Sequence, residues 1–376
     1  MLDQGRVFRA LKEKGVTYYT GVPDSYLNGF CNYALKYCGE RNVITANEGN
    51  AIALAAGHYL ATKEIPLVYM QNSGEGNAVN PLASLVDMNV YAIPMILLIG
   101  WRGQGNSEIN HPQHKLQGEI TTSILDILHI PYTVLNDADD DFKETVSKAV
   151  NYCKEMRGVY ALIAPKGVMA AIDKPNNVDA TYPMSREEAI EVILDHMPAD
   201  TIYAATTGRA TRELFFLREK RKEGRECDFL NVGSMGHASS VALGIALSKP
   251  EHQVVVLDGD SACMMHMGAM TMVSKVNVSN FLHVVLNNGA HESVGGQPSA
   301  GHLIDFTAIA KGCGYATTGK AVTTKEELIE AVIKLSNCGQ AAFIDCRIHK
   351  GLNRKLPPII FNHREAIDAF IANLNG

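Results

Sequence analysis

Residues 254–261 read VVVLDGDS, and residues 281–289 read FLHVVLNNG. In both stretches a continuous apolar run of strand length ends in a polar cluster, and a segment of helical period at 262–275 lies between them. Continuous apolar strands separated by helices are typical of parallel sheets that are covered on both faces. Open sheets of this kind bind ligands at the carboxyl ends of their strands. We therefore expect the two polar clusters to share one binding edge.

The same alternation of strand-length apolar runs and helical segments continues along the chain, for example at 67–70, 95–99 and 161–163. It predicts an α/β fold with two doubly wound parallel-sheet domains of about six strand–helix units each. Residues 165–184 carry three prolines and no sustained period, and Ser185 with Glu188 forms a capping box directly after them. We predict a first domain over 1–170, a linker over 171–184 and a second domain over 185–376.

Composition excludes several functional classes. The chain has 376 residues, 46% of them hydrophobic and 20% charged, with a formal net charge of −6. This balance is typical of a globular protein and does not favour binding to nucleic acid or to a membrane surface. The eight cysteines form no C-x-x-C pair, so we expect free thiols in a reducing cytoplasm rather than disulfides or a metal cluster.

The two polar clusters have the chemistry of a metal–diphosphate site. Asp260 offers an anionic oxygen and Asn288 a carbonyl oxygen, which are the ligands that Mg²⁺ prefers. Gly259 allows the turn to approach phosphates closely. Either cluster by itself is also compatible with an ordinary turn at a strand end.

Taken together, 28 residues apart across one β–α–β unit, the clusters resemble the Gly-Asp-Gly…Asn-Asn fingerprint of thiamine-diphosphate enzymes, with Ser261 in place of the third glycine. The resemblance implies that Asp260, Asn288 and the backbone carbonyl of Ala290 bind Mg²⁺. It implies a bulky apolar residue under the bent cofactor at Met235, although a core methionine is an equal alternative. The implied contacts to thiamine diphosphate are Thr206, Thr207, Gly208, Gly233, Ser234, Met235, Gly259, Asp260, Ser261 and Asn288.

The first half supplies a matching carboxyl group at Glu48, which starts a helix after a short strand at 43–44. Its small apolar neighbours favour the protonated carboxyl, whereas the helix start opposes this. A first-turn glutamate is the ordinary interpretation of such a position. The resemblance instead implies that Glu48 shares a proton with N1′ of the aminopyrimidine ring. It makes 1–170 a pyrimidine-binding domain and 185–376 a diphosphate- and metal-binding domain, with a homodimer as the minimum functional unit.

Within this class, most decarboxylases carry a third domain between the two catalytic ones, and no room exists for it here. Segments at 21–25, 72–77, 99–103, 112–114, 233–237 and 288–291 resemble the phosphonopyruvate and sulfopyruvate decarboxylases. The resemblance implies decarboxylation of the 2-keto acid 3-phosphonopyruvate to phosphonoacetaldehyde, on the route to 2-aminoethylphosphonate. Sulfopyruvate as substrate, or a non-catalytic protein that binds thiamine diphosphate, are the alternatives. A nicotinamide enzyme is excluded because no Gly-x-Gly-x-x-Gly turn follows the first strand.

An anionic substrate needs cations or oriented N–H donors in its pocket. We expect Asp24, Ser25, Arg102, His114 and Lys115 to bind the substrate, and the loop between 102 and 113 departs from the family pattern. Each basic side chain there is equally compatible with a solvated loop charge. The catalytic candidates are Glu48, Asp24, Ser25, His114 and His291. Packing is the preferred interpretation of Trp101, and a surface position that of Lys350 and Arg354.

Overall fold

The computed structural model describes residues 1–106, 112–136, 139–172, 181–351, 356–357, 359 and 362–376. The chain divides into two compact units. Unit 1 comprises Met1–Pro175 with Val294–Gln297, and unit 2 comprises Asn176–Ser293 with Pro298–Gly376. Most of the predicted linker, residues 173–180, lies outside the described residues, so its extent stays a prediction.

Unit 1 is a six-stranded parallel sheet with helices on both faces. The strands are β1 Tyr19–Gly21, β2 Asn42–Ile44, β3 Leu67–Gln71, β4 Met95–Gly100, β5 Tyr132–Val134 and β6 Val159–Ala164, in the order β2-β1-β3-β4-β6-β5. The helices are α1 Gln4–Glu13, α2 Asn28–Tyr37, α3 Glu48–Thr62, α4 Glu75–Pro81, α5 Gln113–Ile127 and α6 Asp139–Met156.

Unit 2 repeats this architecture. Its sheet has the order β13-β14-β10-β9-β7-β8, with the strands β7 Ile202–Ala205, β8 Asp228–Leu230, β9 Val254–Gly259, β10 Phe281–Asn287, β13 Ala316–Thr317 and β14 Ala342–Arg347. Two short strands outside the six-stranded sheets are β11 Ala290–His291 and β12 Gln297–Pro298. The helices are α7 Arg186–His196, α8 Arg209–Arg221, α9 Ala238–Ser248, α10 Asp260–Met265, α11 Phe306–Gly312, α12 Lys325–Ser336 and α13 His363–Asn375. The predicted α/β fold with two parallel sheets is confirmed.

The central strands are buried on both faces, which explains their continuous apolar sequence. In β3, Leu67 and Tyr69 pack into one core cluster, whereas Val68 and Met70 pack into another on the opposite face. Successive side chains of a strand point to opposite faces, so a strand between two helix layers needs apolar residues at every position.

The helical segment expected at 262–275 is divided. The α-helix α10 begins two residues earlier, at Asp260, and ends at Met265, and a 3₁₀ segment Met267–Lys275 follows. His266 separates them because its dihedral angles, φ −132° and ψ 46°, lie outside the helical region.

The cysteines agree with the expectation of free thiols. All eight cysteines are free thiols, and four of them are buried. Within the described residues, no helix is both long and apolar enough to cross a membrane.

A first prediction concerns the start of α7. The Ser185 hydroxyl accepts from the Glu188 backbone N–H at 3.2 Å, and the Glu188 side chain accepts from the Ser185 backbone, which completes the predicted capping box. We expect Ser185→Ala to lower the free energy of unfolding of unit 2 by about 1 kcal/mol, measured by urea titration. The control is Ser248→Ala, at the exposed end of α9, which should cost less than about 0.5 kcal/mol. Equal losses in the two variants would contradict a capping role.

Candidate functional site

Glu48 is the first residue of α3 and is buried, with 4% of the residue exposed. The helix start is fixed by Asn47, whose side chain accepts from the Asn50 backbone N–H at 2.9 Å. Burial raises the pKa of Glu48, while Asn77 and the helix-start N–H act in the opposite direction. The carboxyl group is therefore held where protonation is easier than in water, in the direction that its small neighbours predict.

Two residues of the 72–77 segment shape the surroundings of Glu48. Asn77 Nδ2 donates to Glu48 Oε2 at 2.7 Å. A Cβ atom at Gly74 would lie 2.2 Å from Glu48 Oε1, so only glycine leaves room for the carboxyl group there. One carboxyl oxygen is thus engaged by an amide and the other lies against bare backbone. Neither Asn77 nor Gly74 was predicted from the sequence to have a role of its own.

Asp24 follows β1 and is fully buried. Its Oδ1 accepts from Gln71 Nε2 at 2.6 Å and from Arg102 Nε at 3.4 Å, and its Oδ2 accepts from the Tyr26 backbone N–H at 2.9 Å. A Cβ atom at Gly100 would lie 2.3 Å from Oδ2. Residues from the carboxyl ends of β1, β3 and β4 therefore converge on this carboxylate, because these three strands are neighbours.

Arg102 lies in the same cluster. Its Nη2 donates to Ser25 Oγ, and its guanidinium carbon lies 4.8 Å from the centroid of the Tyr26 ring. Asn72 Nδ2 donates to the Arg102 carbonyl at 2.9 Å and holds the backbone of that loop. Of the five predicted substrate residues, the structure brings Asp24, Ser25 and Arg102 into direct contact.

The other two, His114 and Lys115, lie in the first turn of α5, where Lys115 is exposed. A Cβ atom at Gly103 would lie 1.9 Å from the His114 carbonyl oxygen, so the start of α5 packs directly on the loop after β4. Trp101 is half-buried and its Nε1 donates to the Gly118 carbonyl at 2.8 Å, which agrees with a packing role.

Asp260 begins α10 in unit 2 and is 2% exposed. Ser299 Oγ donates to Asp260 Oδ2. A Cβ atom at Gly301 would lie 2.5 Å from Asp260 Oδ2 and 2.5 Å from Asn287 Oδ1, so one glycine backbone covers both side chains. Burial raises the pKa of Asp260 to about 6, and the Ser299 hydroxyl acts in the opposite direction.

The two asparagines have different contacts. Asn287 is fully buried, and its Nδ2 donates to Asp345 Oδ1 at 3.0 Å, which ties β10 to β14. Asn288 Nδ2 donates to Glu292 Oε2 at 3.0 Å, and its Oδ1 accepts from the Ala290 backbone N–H at 3.1 Å. Asn287 Oδ1 likewise accepts from the Gly289 backbone N–H at 3.2 Å, so the assignment of Asn288 as the cation ligand stays a prediction.

His291 follows directly in β11. Burial lowers the pKa of His291 to about 4, so its imidazole is neutral at neutral pH. Lys350 is half-buried in the loop after β14, and Arg354 lies outside the described residues.

Two buried hydroxyl groups at neighbouring strand ends make no hydrogen bond within the described part of the chain. These are Thr206 Oγ1, directly after β7, and Ser261 Oγ, beyond the end of β9. A buried hydroxyl without a partner is costly, and the oxygens of a diphosphate accept hydrogen bonds from hydroxyl groups of this kind. The residues present therefore fit a diphosphate group.

The remaining loop residues also lie at the carboxyl edge of the unit 2 sheet. Thr207 and Gly208 precede α8, and Gly233, Ser234 and Met235 lie between β8 and α9. Gly208 has φ +103° and Ser234 has φ +50°, so both take left-handed backbone conformations. A non-glycine residue in that region is uncommon and is often found at a binding site.

A buried ionic network adjoins Asn288, and it was absent from the sequence analysis. Arg186 Nη1 lies 3.1 Å from Glu213 Oε1, and Arg186 Nη2 lies 2.5 Å from Glu292 Oε2. The Gly351 backbone N–H donates to Glu292 Oε1 at 2.6 Å. The network joins α7, α8, the loop after β11 and the loop after β14, and no sequence pattern connects partners so far apart in the chain.

A second polar contact supports the turn at Gly259. His283 Nε2 lies 3.1 Å from Asp258 Oδ2, and Asp258 Oδ1 accepts from the Gly259 backbone N–H at 2.9 Å. The Cys263 thiol is also close. Its Sγ, one carboxylate oxygen of Asp258 and one ring nitrogen of His283 all lie within 4.8 Å of one another. Burial raises the pKa of the Cys263 thiol. The histidine contact and the backbone contact account for both oxygens of Asp258, one strand residue before the turn.

Glu75 is a buried carboxyl group that the sequence analysis also missed. It begins α4, one residue after Gly74, and neither of its oxygens has a hydrogen bond of normal geometry among the described residues. Burial raises the pKa of Glu75 to about 8, with a smaller opposing effect from the Thr121 hydroxyl. The carboxyl group is therefore mostly protonated at neutral pH.

Comparison with known families gives two matches. The family model described as "Thiamine pyrophosphate enzyme, N-terminal TPP binding domain" matches residues 5–127, which include Glu48. The model described as "Thiamine pyrophosphate enzyme, C-terminal TPP binding domain" matches residues 207–346, which include Asp260 and Asn288.

Comparison with single proteins agrees. The chain is similar to a phosphonopyruvate decarboxylase of Streptomyces viridochromogenes, with 33% identity over 88% of this chain and 85% of that protein. A phosphonopyruvate decarboxylase of Streptomyces hygroscopicus is 32% identical over 84% of this chain and 80% of its own length. A sulfopyruvate decarboxylase of Methanosarcina acetivorans is 29% identical over 98% of this chain and 97% of its own length.

A second prediction uses the raised pKa of Glu75. Folded Glu75 holds its proton more tightly than unfolded Glu75 does. The resulting stabilisation of the fold is fully present below the unfolded pKa of 4.5 and is lost as the pH rises to about 8. We expect Glu75→Gln to match the wild type in unfolding free energy near pH 4.5. The variant should then gain on the wild type by about 1.4 kcal/mol per pH unit up to the folded pKa. Urea titrations of both proteins at several pH values measure the difference, and a difference independent of pH would contradict the shift.

Proposed function

The chain belongs to the thiamine pyrophosphate enzyme family as a thiamine-diphosphate-dependent decarboxylase, and we propose that its substrate is 3-phosphonopyruvate. The products are phosphonoacetaldehyde and carbon dioxide. The observation that carries the substrate assignment is the similarity to phosphonopyruvate decarboxylases, at 33% identity over 88% of the chain. The buried carboxyl group of Glu48 and the strand-end residues of unit 2 support the cofactor chemistry.

Glu48 is the proton-exchanging group of the proposal. Its Oε2 is engaged by Asn77, and its Oε1 lies against the Gly74 backbone with no side chain in the way. Oε1 is therefore the atom that we propose to exchange a proton with the aminopyrimidine nitrogen. Because burial raises the pKa of Glu48, its carboxyl group holds that proton more readily than an exposed glutamate does.

Thiamine diphosphate, when bound, supplies the carbon nucleophile and the electron sink for loss of carbon dioxide from a 2-keto acid. In unit 2 we propose that Thr206 and Ser261 donate their partnerless hydroxyls to the diphosphate. Asp260, Asn288 and the Ala290 carbonyl would hold Mg²⁺, whose preferred ligands are oxygen atoms of these types.

The remaining proposed cofactor contacts are the backbone and side chains of the two loops that precede α8 and α9. They lie at the same sheet edge because β8, β7, β9 and β10 are successive neighbours in the sheet. These contacts are Thr207, Gly208, Gly233, Ser234, Met235 and Gly259.

The Asp24 cluster supports an anionic substrate. The carboxylate of Asp24 is matched by the cation of Arg102 and by the Gln71 amide, so its negative charge does not stand alone. Arg102 also reaches Ser25, and the planar guanidinium group is suited to phosphonate oxygens. We propose that Arg102 and Ser25 contact the phosphonate, that Asp24 orients the substrate, and that His114, Lys115 and His291 contribute as the sequence predicts.

Sulfopyruvate is the second candidate substrate. The similarity to the sulfopyruvate decarboxylase of Methanosarcina acetivorans extends over 98% of this chain. This is a larger share than the 88% matched by the phosphonopyruvate decarboxylase of Streptomyces viridochromogenes. The 29% identity to the sulfopyruvate decarboxylase is lower than the 33% identity to the phosphonopyruvate decarboxylase. The two substrates are themselves alike, since both are three-carbon keto acids with a tetrahedral anion. For either substrate we propose a homodimer as the minimum functional unit.

A third prediction tests the substrate. Purified protein with thiamine diphosphate and Mg²⁺ is assayed for release of carbon dioxide from phosphonopyruvate, sulfopyruvate and pyruvate. We expect phosphonopyruvate to have a kcat/KM at least about tenfold above the other two, because a dianionic phosphonate gains more from a cationic pocket. A higher kcat/KM for sulfopyruvate would replace the first candidate by the second.

A fourth prediction tests Glu48. We expect Glu48→Gln to bind thiamine diphosphate with wild-type affinity in calorimetry but to lose roughly 10²–10⁴-fold in kcat, because an amide cannot exchange the proton. Gly74→Ala should also lose activity, since its Cβ would lie 2.2 Å from Glu48 Oε1. The matched control is Gly76→Ala, whose Cβ meets nothing within 4 Å. Full activity in Glu48→Gln would remove Glu48 from the mechanism.

A further inference from the structure

We propose that Glu292 is a positioning residue for the cation site, because it orients the side-chain amide of Asn288 so that Oδ1, and not Nδ2, is left for Mg²⁺. This inference rests on the proposed function, in which Asp260 and Asn288 hold the cation. It goes further by assigning a role to Glu292, one member of the ionic network with Arg186 and Glu213.

The two ends of the Asn288 amide have different partners. A carboxylate can only accept hydrogen bonds, so the Asn288 group 3.0 Å from Glu292 Oε2 must be the donating Nδ2. The opposite end, Oδ1, accepts from the Ala290 backbone N–H at 3.1 Å. An amide oxygen has two acceptor positions, so one remains for a cation after the backbone contact is made. If the Asn288 amide were flipped, its oxygen would face the Glu292 carboxylate and its NH2 group would face the Ala290 backbone N–H.

Glu292 is itself held in place from two sides. Arg186 Nη2 lies 2.5 Å from Oε2, the same oxygen that accepts from Asn288. The Gly351 backbone N–H donates to Oε1 at 2.6 Å. Arg186 is buried and its other terminal nitrogen, Nη1, lies 3.1 Å from Glu213. All three donors need an acceptor, and a carboxylate at position 292 is the one group of that size that accepts from all of them.

A purely structural role for the same network is the alternative. Buried ionic networks stabilise a fold only when every partner is present, so loss of any carboxylate would then lower stability without a special effect on the cation. Glu213 separates the two interpretations. It contacts the same arginine, and within the described part of the chain it makes no hydrogen bond to Asn288.

The experiment compares Glu292→Gln with Glu213→Gln in the full chain. Mg²⁺ binding is measured by calorimetry with thiamine diphosphate present in excess, and thermal unfolding is followed with and without Mg²⁺. We expect Glu292→Gln to weaken Mg²⁺ binding about 10–100-fold, the usual effect of losing a residue that orients a metal ligand. Glu213→Gln should keep wild-type Mg²⁺ affinity even where its unfolding midpoint falls.

A double variant provides a rescue and keeps the test decisive if Glu292→Gln folds poorly. In Asn288→Asp the new carboxylate faces Glu292, so Mg²⁺ binding should weaken. In Asn288→Asp combined with Glu292→Gln, the glutamine amide donates to the aspartate and the contact between two carboxylates is removed, although Arg186 Nη2 loses Oε2 as its acceptor. We expect the double variant to bind Mg²⁺ more tightly than Asn288→Asp alone.

Three results would overturn the inference. They are wild-type Mg²⁺ affinity in folded Glu292→Gln, equal losses of affinity in the Glu292 and Glu213 variants, and a double variant that binds no better than Asn288→Asp. Failure of the proposed function has a different signature, because wild-type protein would then bind no Mg²⁺ with thiamine diphosphate, or Asp260→Ala would bind it equally well.

Discussion

The parallel pairing of β9 with β10 is the constraint on which the cation site depends. In this register Leu286 lies opposite Gly259, so the chains that leave the two strands begin side by side. Asp260 and Asn288 are each within two residues of that pair. A slip of one residue would turn every side chain of a strand to the opposite face, and the apolar layers on both faces prevent it. The hydrophobic packing of the central strands therefore sets the positions of the polar residues at their ends.

Polar groups at both candidate sites are buried in apolar surroundings, and each depends on backbone that comes unusually close. Gly74 leaves room for Glu48, Gly100 leaves room for Asp24, and Gly301 covers Asp260. A Cβ atom at any of the three would lie 2.5 Å or less from a carboxyl oxygen. Burial makes the protonation of Glu48 and Asp260 easier, while amide, hydroxyl and backbone donors limit the effect.

Much of the fold was predictable because the relevant interactions are local or periodic. Continuous apolar runs identified β3, β4, β6, β9 and β10, and a residue pattern of four positions identified the capping box at Ser185. The break at His266 was not predictable, because the segment 262–275 has a helical period throughout and its dihedral angles depend on packing. The candidate site residues that sequence motifs predicted to lie at strand ends do lie at strand ends in the structure.

The sequence by itself determined the α/β class, the placement of Glu48 at a helix start and of Asp260 and Asn288 directly after strands, and the resemblance to thiamine-diphosphate enzymes. These features follow from short apolar runs and from motifs within a few residues of them. Only the tertiary structure decided that Asn77 holds Glu48 and that Gln71 and Arg102 meet at Asp24. It also decided that Glu292 contacts both Asn288 and Arg186. Most of these contacts join residues that are far apart in the chain, and such pairs become neighbours only when the strands have paired and the helices have packed against them.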